Sequence, residues 1–136
     1  TLDDLKNCDG LLLGSPTRFG NMASPIKYFL ETATSLWVEG ALEDKPAGVF
    51  TSSGSMHGGN EATLLSMQLP LQHMGMILVG IPYSVTELSK TISGGTPYGA
   101  SHVRGDEEKK GVSEDEKKIC IDHGKRLAKL CLKITK

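Results

Sequence analysis

Short apolar runs alternate along this chain with amphipathic helical patterns, and this alternation limits the possible folds more than any other feature. The apolar runs have the length and continuity of buried strands: Gly10–Gly14, Ala47–Ser53 and Met76–Ile81. Apolar stripes at helical spacing predict helices over Ser24–Trp37 and from Ser113 to the C-terminus, and boundary residues predict a helix over Asn60–Met74 between them. Strand and helix in alternation predict an α/β fold, an open parallel sheet with helices on both faces.

Local signals indicate where the first two helices begin and end. Ser24 is expected to cap the first helix, with Pro25 in its first turn. Asn60 is expected to cap the second helix, and Gly75 is placed to end it. Pro70 should kink this second helix or restart it midway.

The last third of the chain contains a long segment without a strand or helix pattern, followed by a predicted helix. Ser113 and Glu116 form a capping-box pattern at the start of the last helix. Before it, the segment Tyr83–Lys110 is rich in glycine and shows no periodicity. We expect it to be irregular, and irregular segments of this length usually carry function or contacts.

Charge and composition exclude several classes of function. With 15 Lys and Arg against 16 Asp and Glu, the net charge is −1, so nothing favours nucleic-acid binding. The apolar runs are too short for a membrane span, and no secretory signal opens the sequence, so we expect a cytoplasmic protein. The 3 cysteines lack metal-ligand spacing, so no metal site is expected.

The loops after the strands are the candidate ligand site, because open α/β sheets bind ligands outside the carboxyl ends of their strands. The loop at residues 15–22 offers hydroxyls, N–H groups, a cation and an aromatic ring. The loop at residues 51–60 has glycines that permit close backbone approach, and it opens a helix whose N-terminus favours negative charge. A flat ligand with a polar edge could lie between them. Such loops also often merely connect elements.

Several stretches of this sequence form a specific ordered pattern: Gly14–Met22, Leu36-Trp37, Gly40–Leu42, Val49–Ser52, His57–Glu61, His73–Met76 and Gly94–Ala100. Together they resemble the WrbA family, which are flavodoxin-like NAD(P)H:quinone oxidoreductases. The resemblance covers essentially the whole chain. It implies an FMN cofactor, with NAD(P)H as co-substrate. The implied reaction is the two-electron reduction of quinones in a ping-pong sequence. The implied assembly is a homo-oligomer, specifically a homotetramer, with Tyr83–Gly105 at subunit contacts.

The resemblance also implies roles for individual residues. One side of the flavin ring would be held by Thr17, Arg18, Phe19 and Gly20. Hydrogen bonds to its pyrimidine edge would come from the turn Ser52, Ser53, Gly54, Ser55, Met56, His57 and Gly58. In this family a neighbouring subunit completes the site. Trp37 and Tyr83 would line the substrate cavity, and His73 would donate a hydrogen bond or proton to the quinone oxygen.

Each of these residues also has a plainer interpretation. Trp37 ends an apolar helical stripe and could belong to the core or to an interface. His73 could simply be stabilised by the helix dipole. Phe19 could be a hydrophobic plug under its loop, and Arg18 could pair with Glu61.

Other function classes share this fold. A flavodoxin-type electron carrier depends on charge-steered docking, and a net charge of −1 provides little steering. A phosphoacceptor receiver domain needs an aspartate at the end of a central strand, where this chain has Gly14 and Ser15. A non-catalytic flavodoxin-like partner or scaffold protein stays open, and the absence of bound flavin would favour it.

The beginning of the chain departs from the family pattern. WrbA-family proteins have a strand, a phosphate-binding loop, a helix and a second strand before the position that matches Thr1. We therefore expect residues 1–136 to form the C-terminal part of a flavodoxin-like domain with three strands. The strand Gly10–Gly14 would then be an open edge, and FMN would bind poorly, because both loops match the ring end of the flavin.

Overall fold

The computed structural model describes residues 1–105 and 111–134 of the chain. The α-helices are α1 (Leu2–Asn7), α2 (Ser24–Thr32), α3 (Thr34–Val38), α4 (Asn60–His73) and α5 (Glu114–Ile134). The strands are β1 (Leu11–Pro16), β2 (Pro46–Ser53), β3 (Ile77–Leu78) and β4 (Ala100–Val103), and a short 3-10 helix covers Thr86–Ser89.

The strands form one parallel sheet with β2 inside it. β1 pairs with β2 from Leu11 opposite Ala47 to Pro16 opposite Ser52. The other edge of β2 is shared, because β3 pairs with the start of β2 and β4 pairs with its last four residues. The open parallel sheet expected from the alternation of strands and helices is confirmed.

The number of strands differs from the expectation of three, because the described part of the chain has four strands in the sheet. Of the predicted strand Met76–Ile81, only Ile77 and Leu78 form β3, and the N–H of Val79 still donates to the carbonyl of Ala47 in β2 at 2.7 Å. The chain then leaves the sheet and returns as β4, which lies inside the segment Tyr83–Lys110 that was expected to be irregular. Residues 106–110 of that segment lie outside the described residues.

Two glycines allow the chain to return as β4. A Cβ at Gly99 would lie 2.2 Å from the carbonyl oxygen of Val49 in β2, and a Cβ at Gly94 would lie 2.1 Å from the carbonyl oxygen of Ser101. Neither contact is possible for a residue with a side chain. Gly94 and Gly99, in the family-like stretch Gly94–Ala100, therefore have a structural role.

The predicted helix Ser24–Trp37 is two helices. α2 ends at Thr32, and Ala33 adopts φ −83° and ψ 13° before α3 begins. The N-cap of α2 is Ala23 and makes no side-chain cap, so the expectation that Ser24 is the cap is wrong, although Pro25 does lie in the first turn.

α4 departs from expectation at its start and in its last turn. Its N-cap is Gly59, whose φ of +93° favours glycine, so the expectation that Asn60 caps the helix is wrong. Pro70 does not restart the helix, because α4 continues as one element through His73. Gly75 ends the helix as expected, with φ +77°.

The helices pack on both faces of the sheet, which confirms the layered arrangement. On one face, the side chains of α4 join those of β1 and β2 in the main core, which includes Leu13, Val49, Leu64, Met67 and Leu71. On the other face, α5 places His123 against Gly48, where a Cβ would lie 2.6 Å from the ring Nε2. None of the helices within residues 1–105 and 111–134 is long and apolar enough to cross a bilayer.

The buried His123 ties α5 to the strand region. Burial lowers the pKa of His123, and its Nε2 lies 2.8 Å from the carbonyl oxygen of Val79. A neutral ring that donates from Nε2 to this carbonyl satisfies both groups. His123 is therefore structural.

Candidate functional site

The loop after β1 is a tight turn that exposes an aromatic ring. The N–H of Arg18 donates to the carbonyl of Asn21 at 2.8 Å, and the reverse bond is 3.0 Å. Phe19 and Gly20 have φ of +51° and +75°, which is the conformation of a type I′ turn. Phenylalanine rarely adopts a positive φ, and here its ring is fully exposed, at 106%. The interpretation of Phe19 as a plug under the loop is therefore wrong.

The loop after β2 is compact and touches the first loop. The hydroxyl of Ser53 donates to the carbonyl of Ser55 at 2.7 Å, and the N–H of Gly58 donates to the same carbonyl at 3.1 Å. A Cβ at Gly59 would lie only 3.0 Å from the Cα of Gly20. The two predicted loops therefore meet backbone to backbone at the carboxyl edge of the sheet.

A buried hydroxyl network supports the first loop from below. The Thr17 hydroxyl donates to Oδ1 of Asn60 at 3.3 Å, accepts from the Thr63 hydroxyl at 3.2 Å, and lies 3.2 Å from Oγ1 of Thr51. The Thr51 hydroxyl in turn donates to the carbonyl of Ser15 at 2.7 Å. Thr17 therefore positions the loop, and its own hydroxyl bonds inward. Sequence reasoning missed this network, whose signal was polar residues at a strand end and a helix start.

The two loops border a cleft of about 310 Å³ at the ends of β1, β2 and β4. Its lining is Pro16, Thr17, Arg18, Ser52, Ser53, Gly54, His102 and Arg104. The structure thus brings Thr17 and Arg18 together with Ser52, Ser53 and Gly54, as the sequence predicted. His102 and Arg104 were missed because β4 was missed. Gly20, Ser55, Met56, His57 and Gly58 lie in the same two loops without lining this cleft.

The side chain of Arg18 extends from this turn without a hydrogen-bond or ion-pair partner among residues 1–105 and 111–134. It makes no ion pair with Glu61 or with any other carboxylate of the described residues, so the alternative that it pairs with Glu61 is wrong. The arginine is therefore available to a ligand.

Glu116, at the start of α5, fixes the ring of His102. Its buried carboxylate accepts the N–H groups of Gly94, Val103 and Ser113 at 2.8 to 3.0 Å, and it lies 3.1 Å from Nδ1 of His102. Burial raises the pKa of Glu116, but these hydrogen bonds outweigh burial and lower it to about 2. The ionised carboxylate can only accept, so Nδ1 of His102 carries a proton. The bond between the Glu116 N–H and the Ser113 hydroxyl, 3.2 Å, confirms the predicted capping box.

Trp37 and His73 line a second groove, of about 430 Å³, between α2, α3 and α4. Trp37 is 54% exposed, so it is not a core residue. α4 begins beside the cleft at Asn60 and ends at His73, and 14 helical residues span about 20 Å. Trp37 and His73 therefore lie together, but at the other end of α4 from the two loops. Tyr83 is 63% exposed and lines neither the cleft nor this groove.

Comparison with known proteins decides the family. The model of the NADPH-dependent FMN reductases matches residues 1–89, which is more than half of the chain. The chain belongs to this family. Two curated relatives of this chain are named NAD(P)H dehydrogenase (quinone). The one from Syntrophobacter fumaroxidans is 43% identical, over 100% of this chain and 68% of the relative. The one from Acidithiobacillus ferrooxidans is 45% identical, over 97% and 67%.

A solved structure gives the same fold. A flavodoxin, WrbA-like protein from Agrobacterium tumefaciens superposes with a TM-score of 0.71, with 19% identity, over 96% of this chain and 71% of that protein. The flavodoxin-like fold and the WrbA resemblance are thus confirmed. This member of the FMN reductase family spans about two thirds of the length of the relatives that it matches.

The two loops fit the cofactor that the family implies. Phe19 presents a free aromatic face, and the turn from Ser53 to Gly58 has four exposed or half-buried glycine and serine residues beside it. A Cβ at Gly54 would meet no atom within 4 Å, so the space above this turn is open. A planar ring with a polar edge fits between these loops.

Proposed function

We propose that this chain reduces quinones with electrons from NAD(P)H, through FMN bound at the two loops. The observation that carries the proposal is the contact between the turn that exposes Phe19 and the glycine-rich loop after β2, beside an open cleft. The names of the 43–45% identical relatives support the same activity. The cytoplasm, where NAD(P)H is available as reductant, is the compartment that we propose.

The residues of the two loops bind and orient the flavin in this proposal. When bound, FMN supplies the exchange of a hydride with a nicotinamide or a quinone. Phe19 packs against the ring system, and the backbone of Ser53–Gly58 donates hydrogen bonds to its pyrimidine edge. Arg18 provides a positive charge beside the ring, where negative charge gathers on reduction.

Trp37 and His73 act at the flavin of a neighbouring subunit in this proposal. Their groove lies about 20 Å along α4 from the two loops of the same chain. Trp37 and His73 therefore cannot reach a flavin that is bound at the loops of their own chain. Exposed apolar side chains beside the groove, including Tyr28 and Leu69, support contact with another copy. We propose a homotetramer in which Trp37 stacks on the substrate, and in which His73 donates a proton to the quinone oxygen.

The role of Tyr83 and its segment belongs to the same proposal. Tyr83 is exposed between β3 and the 3-10 helix. We assign Tyr83 to the substrate cavity at a subunit contact, together with the segment Tyr83–Gly105. The nicotinamide and the quinone would then use one cavity in turn, which gives ping-pong kinetics.

The experiment is a steady-state assay of NAD(P)H oxidation by benzoquinone, with FMN added to the purified protein. We expect parallel double-reciprocal lines. Phe19→Ala should weaken FMN binding, and Phe19→Tyr, the matched control, should preserve it because an aromatic ring is kept. Intersecting lines would contradict the ping-pong order. FMN binding without quinone reduction would support an electron carrier, and no flavin binding would favour a scaffold.

A further inference from the structure

We propose that the groove between α5 and the chain that follows β3 is a docking site for an extended acidic segment of a partner protein. This basic groove has a volume of about 360 Å³, with Pro82 and Val85 on one side and the second half of α5 on the other. Neither of the two loops at the carboxyl edge of the sheet contributes to its lining. The basic groove has no part in the function proposed above.

The basic groove is far from the candidate flavin site. Glu116, near the start of α5, contacts His102, which lines the cleft at the two loops. Lys129, which lines the basic groove, lies on the same helix about 20 Å further along its axis. A segment bound at Lys129 would therefore leave the two loops and their cleft open.

The described residues do not neutralise the positive charge of the basic groove. Four exposed cations line it: Lys125, Arg126, Lys129 and Lys133. Within residues 1–105 and 111–134, none of their side chains makes an ion pair or a hydrogen bond. The carboxylate of the lining, Asp122, is already paired with Lys118, which lies outside the groove. Because like charges at one groove repel one another, an anionic partner stabilises this surface.

The spacing of the lysines matches that of carboxylates on an extended peptide. Lys125, Lys129 and Lys133 are separated by one helical turn each on one flank of α5, so they recur about every 6 Å along the helix. In an extended chain every second side chain points the same way, and these side chains recur about every 6.6–6.8 Å. Carboxylates at alternate positions of such a segment can therefore each meet one lysine.

The rest of the lining is apolar and decides which kind of anionic partner fits best. Pro82, Val85 and Leu130 are partly buried in the groove, where they can remove apolar side chains of the segment from water. Recessed residues cannot insert into a bilayer, so a membrane surface fits less well. No aromatic ring is among the lining residues, so the groove offers nothing on which the bases of a nucleic acid could stack.

A second copy of this chain is a competing occupant, because Val85 belongs to the segment that we assign to subunit contacts. The four strands of the described residues contain no Asp or Glu, so this chain presents no acidic strand to another copy. An acidic segment of a different protein therefore has the better charge complementarity.

The experiment measures peptide binding by fluorescence anisotropy, at fixed ionic strength and without FMN. The probe is a labelled heptapeptide of alternating glutamate and valine with blocked ends, and the control peptide has the same composition with its glutamates in one block. We expect the alternating peptide to bind several-fold more tightly than the block peptide, because only alternation matches the lysine spacing.

Lys129→Glu should weaken binding of the alternating peptide roughly 4- to 25-fold, because one exposed ion pair is lost and a repulsion of similar size replaces it. Lys117→Glu is the matched control, because Lys117 is an exposed lysine of α5 outside the groove. It changes the net charge equally and should leave the affinity nearly unchanged.

Three outcomes would overturn the proposal. Equal affinities of the two peptides, or equal losses in the two variants, would show that net charge alone attracts the probe. Tighter binding of a single-stranded oligonucleotide or of phosphatidylserine vesicles, lost in Lys129→Glu alone, would assign the groove to that class of partner. Sedimentation velocity tests the remaining occupant, since self-association that decreases only in Lys129→Glu would assign the groove to a second copy. None of these measurements requires flavin or quinone, so they are independent of whether the chain reduces quinones.

Discussion

At the scale of single residues, the exposure of Trp37 separates a role in substrate binding from a role in the core. We expect Trp37→Ala to cost less than the ~3–5 kcal/mol typical of a buried aromatic, because half of the side chain is already in water. Loss of a stacking partner worth about 0.5–1.5 kcal/mol should raise KM for the quinone roughly 2- to 12-fold. Urea unfolding and steady-state kinetics measure the two effects separately.

The matched control for this prediction is Val38→Ala. Val38 is the next residue of α3 and is also exposed, so its substitution reports on the integrity of the helix without removing the ring. It should leave both stability and KM nearly unchanged. If Trp37→Ala instead lost several kcal/mol with its quinone KM intact, Trp37 would be structural.

At the scale of elements, Glu116 connects β4, the glycine loop before it and α5. Its pKa is lowered from an ordinary value of 4.5 to about 2, so the folded state favours the ionised form. The resulting stabilisation is present above pH 4.5 and is lost as the pH falls from 4.5 towards 2. We expect Glu116→Gln to lose roughly 1.5–3 kcal/mol near pH 7, because it replaces charge-assisted hydrogen bonds.

The measurement is urea unfolding of wild type and Glu116→Gln between pH 7 and pH 2.5. The difference in unfolding free energy should shrink through the window below pH 4.5. Glu114→Gln is the control, because Glu114 lies two residues away and is 90% exposed, with only a 3.9 Å contact to Lys117. A difference that is constant across the pH range would show that the carboxylate is not what stabilises this junction.

The same elements show what could be predicted from the sequence. β1 and β2 have continuous apolar runs and α5 has a helical period, and these patterns alone predicted the three elements. α4 has no clear apolar face, and it was predicted from its boundary residues Asn60 and Gly75. β4 has four residues after a glycine-rich turn, and its position depends on close contacts such as Gly99 against Val49, which no local pattern reveals. In the candidate site, too, the parts that local patterns indicate were predicted and the parts that depend on β4 were missed.

The two loops of the site were predicted because the carboxyl ends of parallel strands converge. His102 and Arg104 were missed together with their strand. The positive φ of Phe19 is equally hidden from the sequence, because phenylalanine gives no turn signal of its own. Local sequence composition predicts which residues lie in loops. Which of these loops border the same cleft depends on the pairing of strands that are distant in the sequence.

At the scale of the whole molecule, β1 has the features of a strand edge at which copies of this polypeptide pair. Within the described residues, β1 pairs with β2 alone, and its sequence from Leu11 to Pro16 has no charge. Leu12 and the ring of Phe50, which lies over Gly14, remain 39% and 43% exposed beside it. An uncharged edge strand with apolar neighbours is a template for pairing between chains.

We therefore expect the 136-residue polypeptide to self-associate as its concentration rises, as measured by sedimentation velocity. Leu12→Lys should shift the distribution towards the monomer, because a charge on this strand opposes pairing between copies. Leu132→Lys adds the same charge at an exposed position on α5, outside the sheet and outside the segment Tyr83–Gly105, so it should leave association unchanged. If both variants reduced association equally, net charge rather than β1 would control it. If the wild-type polypeptide stayed monomeric throughout, the edge of β1 would not be a pairing surface.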